Sequence, residues 1–232
     1  MTFADNVIQF NKQLEFKGSL PAGIRILNPF KENLYVNILM EQFYRRFYND
    51  SDKRHLILGI NPGRFGGGVT GIPFTDSKRL KSACEIKYEG KETHEPSSVF
   101  VYEVIEAFGG ANKFYKHFYI NSVCPLGFTA IGENGKETNY NYYDSGALTL
   151  SVYDFIIENI QKQIGFGVDT DTCFCLGNGE NEKFLRKLNT EKWFFKNIIA
   201  FEHPRFIMQY KSMSRNEYID KYVKAFNSVV SG

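Results

Sequence analysis

The sequence predicts a three-layer α/β/α fold around a central four-stranded parallel sheet. Three observations carry this prediction: short apolar runs rich in β-branched and aromatic residues, segments of helical period between them, and glycine, proline or asparagine where the runs end. At 232 residues the chain can bury one large core. It contains no internal repeat and no linker-like stretch, so we expect residues 1–232 to form a single domain.

Four runs have the length and composition of strands. They span residues 55–60, 118–123, 172–176 and 197–201. A proline or glycine follows each run within three residues, as expected where a strand gives way to a turn. Because helical segments separate the runs, we predict parallel pairing rather than a series of hairpins.

Helical periodicity appears on both sides of every predicted strand. Before the first strand, one helical face carries Val36, Leu39, Met40, Phe43 and Phe47. Further helices are predicted over residues 98–108, 150–160, 184–188 and 218–226, the first two ended by Gly109 and Gly165. The stretch 127–145 is polar and lacks a clear period, and we predict a surface loop there.

The composition narrows the class of protein without identifying it. A net charge of +2 and a pI near 8.2 are compatible with a nucleic-acid partner and equally with an ordinary cytosolic enzyme. Four cysteines without a CxxC pair are expected to be buried, reduced thiols, with no disulfide framework and no metal site. We find no signal-peptide pattern and no apolar run of membrane-spanning length, and we therefore expect a cytoplasmic protein that does not enter membranes.

Polar and glycine-rich residues follow the predicted strands. Asn61 follows the first strand, Asn121 lies near the end of the second, a Gly-Asn-Gly turn at 177–179 follows the third, and His203 follows the fourth. The carboxyl ends of parallel strands meet at one edge of the sheet, where α/β folds bind their ligands. The strand prediction alone therefore brings two asparagines and a histidine to one rim.

These residue types suit recognition of a planar heterocycle. The Asn121 amide offers donors beside an acceptor, Phe74 could stack on a ring, and His203 could donate to an oxygen that becomes anionic. Asn61 has no useful pKa, so it could orient a water but not act as a base. Each residue also has a structural interpretation, as a turn, loop or core residue, and the Gly66–Gly68 triplet lacks the lysine of a phosphate-binding loop.

The stretch GINPGRFGGGVTGIPF resembles the first motif of the single-strand-selective monofunctional uracil-DNA glycosylases. Ten of its sixteen positions match: Gly59, Asn61, Pro62, Gly63, Phe65, Gly66, Thr70, Gly71, Pro73 and Phe74. FYINSVCPL is similar to the base-recognition strand of the family, and EHPRF to its second motif. The motifs occur in the family's order, over roughly residues 20–225.

The resemblance implies a role for each matched residue. Asn61 would position the attacking water beside Gly63 and Phe65, and His203 would stabilise negative charge on the departing base. Phe74 would stack on the flipped base, and Asn121 would bond its edge. Such an enzyme would excise uracil or a related deaminated base, xanthine among them, in base excision repair. It would act as a monomer, without a cofactor.

Two departures from the family pattern concern the substrate. His203-Pro204 continues with Arg205-Phe206 instead of Ser-Pro-Arg, and one extra residue separates Asn121 from Cys-Pro-Leu. DNA contacts are expected from Arg64, Lys78, Arg205, Phe206, Lys211 and Arg215, with Arg79, Met208 and Tyr210 as further candidates. Two other functions stay open: a non-catalytic nucleobase- or nucleotide-binding module, and a flavodoxin-like phosphate-binding enzyme suggested by the glycine triplet.

Overall fold

The computed structural model describes residues 1–132 and 135–230. The strands are β1 (Ile24–Leu27), β2 (Arg54–Gly59), β3 (Phe118–Ser122), β4 (Gly127–Ile131), β5 (Glu137–Tyr140), β6 (Val168–Leu176) and β7 (Asn197–Phe201). The helices are α1 (Phe3–Gln13), α2 (Pro29–Glu32), α3 (Leu34–Phe47), α4 (Gly67–Thr70), α5 (Ser77–Ser82), α6 (Pro96–Phe108), α7 (Ala111–His117), α8 (Gly146–Ile164), α9 (Glu180–Lys192), α10 (Pro204–Tyr210) and α11 (Arg215–Val230). A 3₁₀ turn (Ser212–Ser214) connects α10 to α11.

The central sheet has the strand order β3-β2-β6-β7, and all of its pairs are parallel. These are the four predicted strands. The predicted bounds agree with β7 and differ by one residue from those of β2 and β3, whereas β6 begins four residues earlier than predicted. The predicted fold class is confirmed.

Aromatic side chains fill the core on both faces of this sheet. On one face, Tyr119 of β3 packs against Phe3 of α1 and Tyr48, which follows α3, with ring centroids 5.2 and 6.0 Å apart. On the other face, the ring centroid of Phe118 lies 4.7 Å from that of Phe226 on α11. The alternation of neighbouring residues between the faces produces the three layers.

The prediction of a surface loop over residues 127–145 is wrong. The stretch contains β4 and β5, which form a three-stranded antiparallel sheet with β1; β4 is the middle strand, between β1 and β5. Residues 133 and 134 lie outside the described part of the chain. The side chains of β5 are mostly polar and none is fully buried, so they leave no apolar period in the sequence. Backbone pairing with β4 defines this strand.

Candidate active site

A cavity of about 160 Å³ opens where β2, β3 and β7 end. Its walls come from the loop after β2, the start of α6, the segment around β5, and the start of α10. The lining residues are Ile60, Asn61, Pro62, Gly63, Gly67, Pro73, Phe74, Glu95, Ser97, Ser122, Asn139, Asn141, His203 and Arg205. The structure thus brings Asn61, Gly63, Phe74 and His203 together, as expected for the carboxyl edge of a parallel sheet.

Asn61 is held by the small antiparallel sheet. Its Nδ2 donates to the Tyr140 carbonyl at 3.2 Å, and its Oδ1 accepts from the Tyr142 backbone N–H at 3.1 Å. An amide carries two N–H groups and two lone pairs on oxygen, so one of each remains for a ligand. The clamp fixes the direction of the amide while leaving it able to orient a water.

His203 presents a neutral N–H donor to the cavity. It caps α10, and its Nδ1 accepts a hydrogen bond from the Arg205 backbone N–H at 3.1 Å, which assigns the proton of the neutral ring to Nε2. Burial lowers the pKa of His203 to about 4, and the charge of Arg205 adds to this shift. The ring is therefore neutral at neutral pH, with Nε2–H available as a donor.

Phe74 forms a wall of the same cavity, close to His203. The two ring centroids are 5.8 Å apart. A Cβ at Gly59 would lie 2.7 Å from Phe74 Cε2, so the ring rests directly on the backbone at the end of β2. Phe74 has a positive φ of 53°, and the Thr70 hydroxyl supports this turn by donating to the Thr75 carbonyl at 2.6 Å. A packed loop therefore presents the ring face.

Asn121 is not among the residues that line the cavity. It is buried on the α1 and α3 side of the sheet, where its Nδ2 donates to Tyr119 Oη at 2.7 Å and its Oδ1 accepts from the Ser122 N–H at 2.8 Å. The next residue, Ser122, points the other way and lines the cavity. Because side chains alternate along β3, Asn121 and Ser122 lie on opposite faces of the sheet, and Ser122 is the one that reaches the cavity.

Phe65 lies on the surface next to the cavity. Its side chain is 54% exposed, and the Arg64 guanidinium lies over its ring, 5.2 Å from the centroid. Arg64 also donates through its backbone N and Nε to Asn139 Oδ1, and its Nη1 lies 3.6 Å from Glu137. The pair is thus attached to β5, at the rim.

The other residues predicted to contact DNA differ in their surroundings. Arg205 lines the cavity, and Lys78 and Lys211 are exposed. Phe206 is 42% exposed and lies 5.3 Å from the ring of Tyr210. Arg215 forms an ion pair with Glu103 at 3.1 Å, and Arg79 one with Asp76 at 3.0 Å, so these two have partners within the protein.

Glu95 is a cavity residue that the sequence did not reveal. It precedes α6, at the N-cap position, and the described residues provide no hydrogen bond to its carboxyl group. A Cβ at Gly66 would lie 2.7 Å from Glu95 Cδ, and one at Gly63 would lie 3.5 Å from Glu95 Oε1. The two glycines, 29 and 32 residues earlier in the chain, therefore make room for this carboxyl group.

Asp76 positions Glu95 and alters its ionisation. The buried Asp76 carboxylate accepts from the Glu95 backbone N–H at 2.8 Å, from the Arg79 backbone N–H at 2.9 Å, and from Arg79 Nη1 at 3.0 Å. Burial first, and then the negative charge of Asp76, raise the pKa of Glu95 to about 7, against the opposing effect of Arg205. Glu95 can thus exchange a proton near neutral pH.

The four cysteines, Cys84, Cys124, Cys173 and Cys175, are buried free thiols, as predicted. Across residues 1–132 and 135–230, no group of three or more His, Cys, Asp or Glu side chains is arranged to hold a metal ion. None of the helices in the same ranges combines the length and apolar character needed to cross a membrane.

Comparisons with known proteins agree with this geometry. A sequence model of the uracil DNA glycosylase superfamily matches residues 46–227. The chain belongs to the uracil DNA glycosylase superfamily. The matched residues cover most of the sequence and include the whole cavity wall.

The chain is also similar to solved structures. Eleven chains match, and one is the crystal structure of wild-type Pedobacter heparinus SMUG2, with 64% sequence identity, complete coverage of both chains and a TM-score of 0.98. No curated protein matches the chain. Superfamily membership and the SMUG2 match confirm the family resemblance and support a function of the uracil-DNA glycosylase type.

Proposed function

We propose that the protein is a monofunctional DNA glycosylase that flips uracil or a related deaminated base, xanthine among them, out of DNA and hydrolyses its N-glycosidic bond. The observation that carries this proposal is the presence of Asn61, Phe74 and His203 in one cavity at the carboxyl edge of the sheet. A flipped base costs a few kcal/mol to extract from a duplex and less from single-stranded DNA. A site for it needs a stacking surface and polar groups for its edge.

Phe74, His203 and Asn61 each suit one part of this reaction. Phe74 offers a face on which the base stacks, and Nε2–H of His203 can donate to the base oxygen that gains negative charge as the bond breaks. Because the ring is neutral, His203 stabilises this charge as a hydrogen-bond donor and not as a cation. The clamped Asn61 amide would direct a water towards the sugar carbon.

The edge of the base would be read differently from our expectation for Asn121. That side chain does not line the cavity, whereas Ser122, Asn139 and Asn141 do, so we propose that Ser122, with Asn139 or Asn141, contacts the base. Hydroxyl and amide groups can each donate and accept, which suits a pocket that takes more than one deaminated base.

The proposed hydrolysis needs no covalent intermediate. No lysine is among the described residues that line the cavity, which fits a monofunctional enzyme rather than a Schiff-base lyase. We propose that one copy of the protein binds DNA across the rim of the cavity. Arg205, Lys78 and Lys211 would lie near phosphates, and Phe206 would stack on an exposed base.

Single-turnover excision from a uracil-containing oligonucleotide tests the proposal. We expect Asn61→Ala and His203→Ala each to lower the rate by about 10²–10³-fold. The control is Asn227→Ala, the same substitution at an exposed asparagine on α11, and it should have the wild-type rate. Near-wild-type rates in both cavity variants would refute the assigned roles. Binding of free uracil without any abasic product from the wild type would instead favour the non-catalytic module.

A further inference from the structure

We infer that Glu95 is a further catalytic residue, the general base that takes a proton from the attacking water; this inference rests on the proposed function. Its carboxyl group faces the same cavity as Asn61 and His203 and lies against the backbone of Gly63 and Gly66. Glu95 is the N-cap residue of α6, and neither Glu95 nor α6 contributes to the motifs through which the family resemblance was drawn.

The cavity requires a group that Asn61 cannot supply. An amide orients a water but accepts no proton at neutral pH, and the Asn61 amide is already committed on two sides to the 140–142 backbone. His203 is a poor base because its Nδ1 is engaged by the Arg205 N–H and its Nε2 carries the proton. Among the described residues that line the cavity, Glu95 carries the only carboxyl group.

The surroundings of Glu95 hold it ready for proton transfer. Its backbone is anchored to the buried Asp76 carboxylate, while the carboxyl itself receives no hydrogen bond from the described residues and so stays available to a water. A pKa of about 7 lies in the range where a general base is most effective at neutral pH. An ordinary surface glutamate would be fully ionised and much less basic.

The proton and electron balance of the step is complete without another reactant. The water transfers one proton to a Glu95 oxygen while its own oxygen forms a bond to the sugar C1′. The bond between C1′ and the base nitrogen breaks, and its electron pair stays on the base, where Nε2–H of His203 stabilises the anion. The proton on Glu95 then passes to the base or to solvent, which restores the carboxylate.

Several charged groups set the pH range of this step. Facing the carboxyl are Asp76 at the start of α5, which raises its pKa, and Arg205 of α10, which lowers it. Arg79 is bound to Asp76, His94 lies 3.3 Å from Arg79, and Arg64 is bound to Asn139 across the cavity. Burial lowers the pKa of His203 to about 4, so its ionisation does not overlap a change in rate centred near pH 7.

The test is the pH dependence of single-turnover uracil excision in the wild type and in Glu95→Gln. The wild-type rate should rise with pH, with a midpoint near 7. We expect Glu95→Gln to be slower by about 10²–10³-fold above this midpoint and to lose the pH dependence. Its affinity for the uracil oligonucleotide should stay within about 3-fold, since only a proton acceptor is removed.

Two further variants sharpen the result. Glu95→Asp keeps a carboxylate on a shorter side chain and should recover part of the lost rate together with the pH dependence, whereas a purely structural role would not require a carboxylate. Glu92→Gln, an exposed glutamate paired with Lys81, is the matched control and should have the wild-type rate. Wild-type activity in Glu95→Gln, or an unchanged rise near neutral pH, would overturn the role of Glu95 alone. A wild-type protein that excises no base at any pH would overturn the proposed function as well.

Discussion

Replacing Gly66 with alanine tests the placement of the Glu95 carboxyl without touching Glu95. A Cβ at position 66 would lie 2.7 Å from Glu95 Cδ and 3.2 Å from Oε1, and closer still to Oε2. Ordinary contacts begin near 3.4 Å, so the carboxyl has to move by roughly 1 Å. Because a displacement of about 1 Å can cost on the order of 10²-fold in rate, we expect Gly66→Ala to slow uracil excision by about this factor.

Gly146→Ala, at the start of α8 and outside the cavity wall, is the matched control. A Cβ there would meet no atom of the described residues within 4 Å. Since the atoms displaced by Gly66→Ala belong to the end of a flexible side chain, both variants should unfold within about 1 kcal/mol of the wild type in urea. Equal excision rates in single-turnover assays would refute the reasoning. A slow Gly66→Ala variant that is also strongly destabilised would refute it too.

Three other predictions follow from the site. Ser122→Ala should slow excision by about 10-fold. Asn121→Ala should mainly lower the free energy of unfolding, by about 1–3 kcal/mol, because buried hydrogen bonds are lost. A slow but stable Asn121→Ala protein would restore a direct role for Asn121. Because folding raises the pKa of Glu95 from 4.5 to about 7, this group costs stability above pH 7 and the cost disappears as the pH falls below 4.5. Glu95→Gln should therefore be more stable than the wild type by about 1–3 kcal/mol near pH 8, with the difference vanishing near pH 4.5, as measured by urea unfolding at both pH values. Phe206→Ala should weaken binding to single-stranded DNA by about 1–3 kcal/mol, with little change in the rate at saturating protein; unaltered affinity in a fluorescence titration would exclude stacking at this position.

The central sheet could be predicted from the sequence because its strands are largely buried, β2 and β3 on both faces. Such strands leave continuous apolar runs, and β7 was located to the residue. The start of β6 was missed because its first residues include Asp169 and Asp171, which are not fully buried. The small sheet escaped prediction for the same reason, since β5 pairs through its backbone and has no fully buried side chain.

The candidate site was predictable where residues lie within one motif and unpredictable where the tertiary fold joins distant segments. Asn61 and Phe74 come from one loop, and His203 follows a strand that was itself predicted. Glu95 stands before a proline at the start of a helix, where the sequence indicates only a turn. Its proximity to Gly66 arises from the packing of α6 against the loop, which no local pattern records.

The backbone clamp on Asn61 has a consequence for how this protein can vary. Both hydrogen bonds use main-chain atoms, from positions 140 and 142, so the amide does not depend on the identity of the side chain at position 140. Substitutions along the exposed face of β5 can thus change the outer surface while Asn61 stays in place. A deletion or insertion of one residue between 137 and 142 would shift the pairing and exchange the two faces of the strand. Outside the cavity-lining Asn139 and Asn141, this segment can therefore vary in composition but not in length.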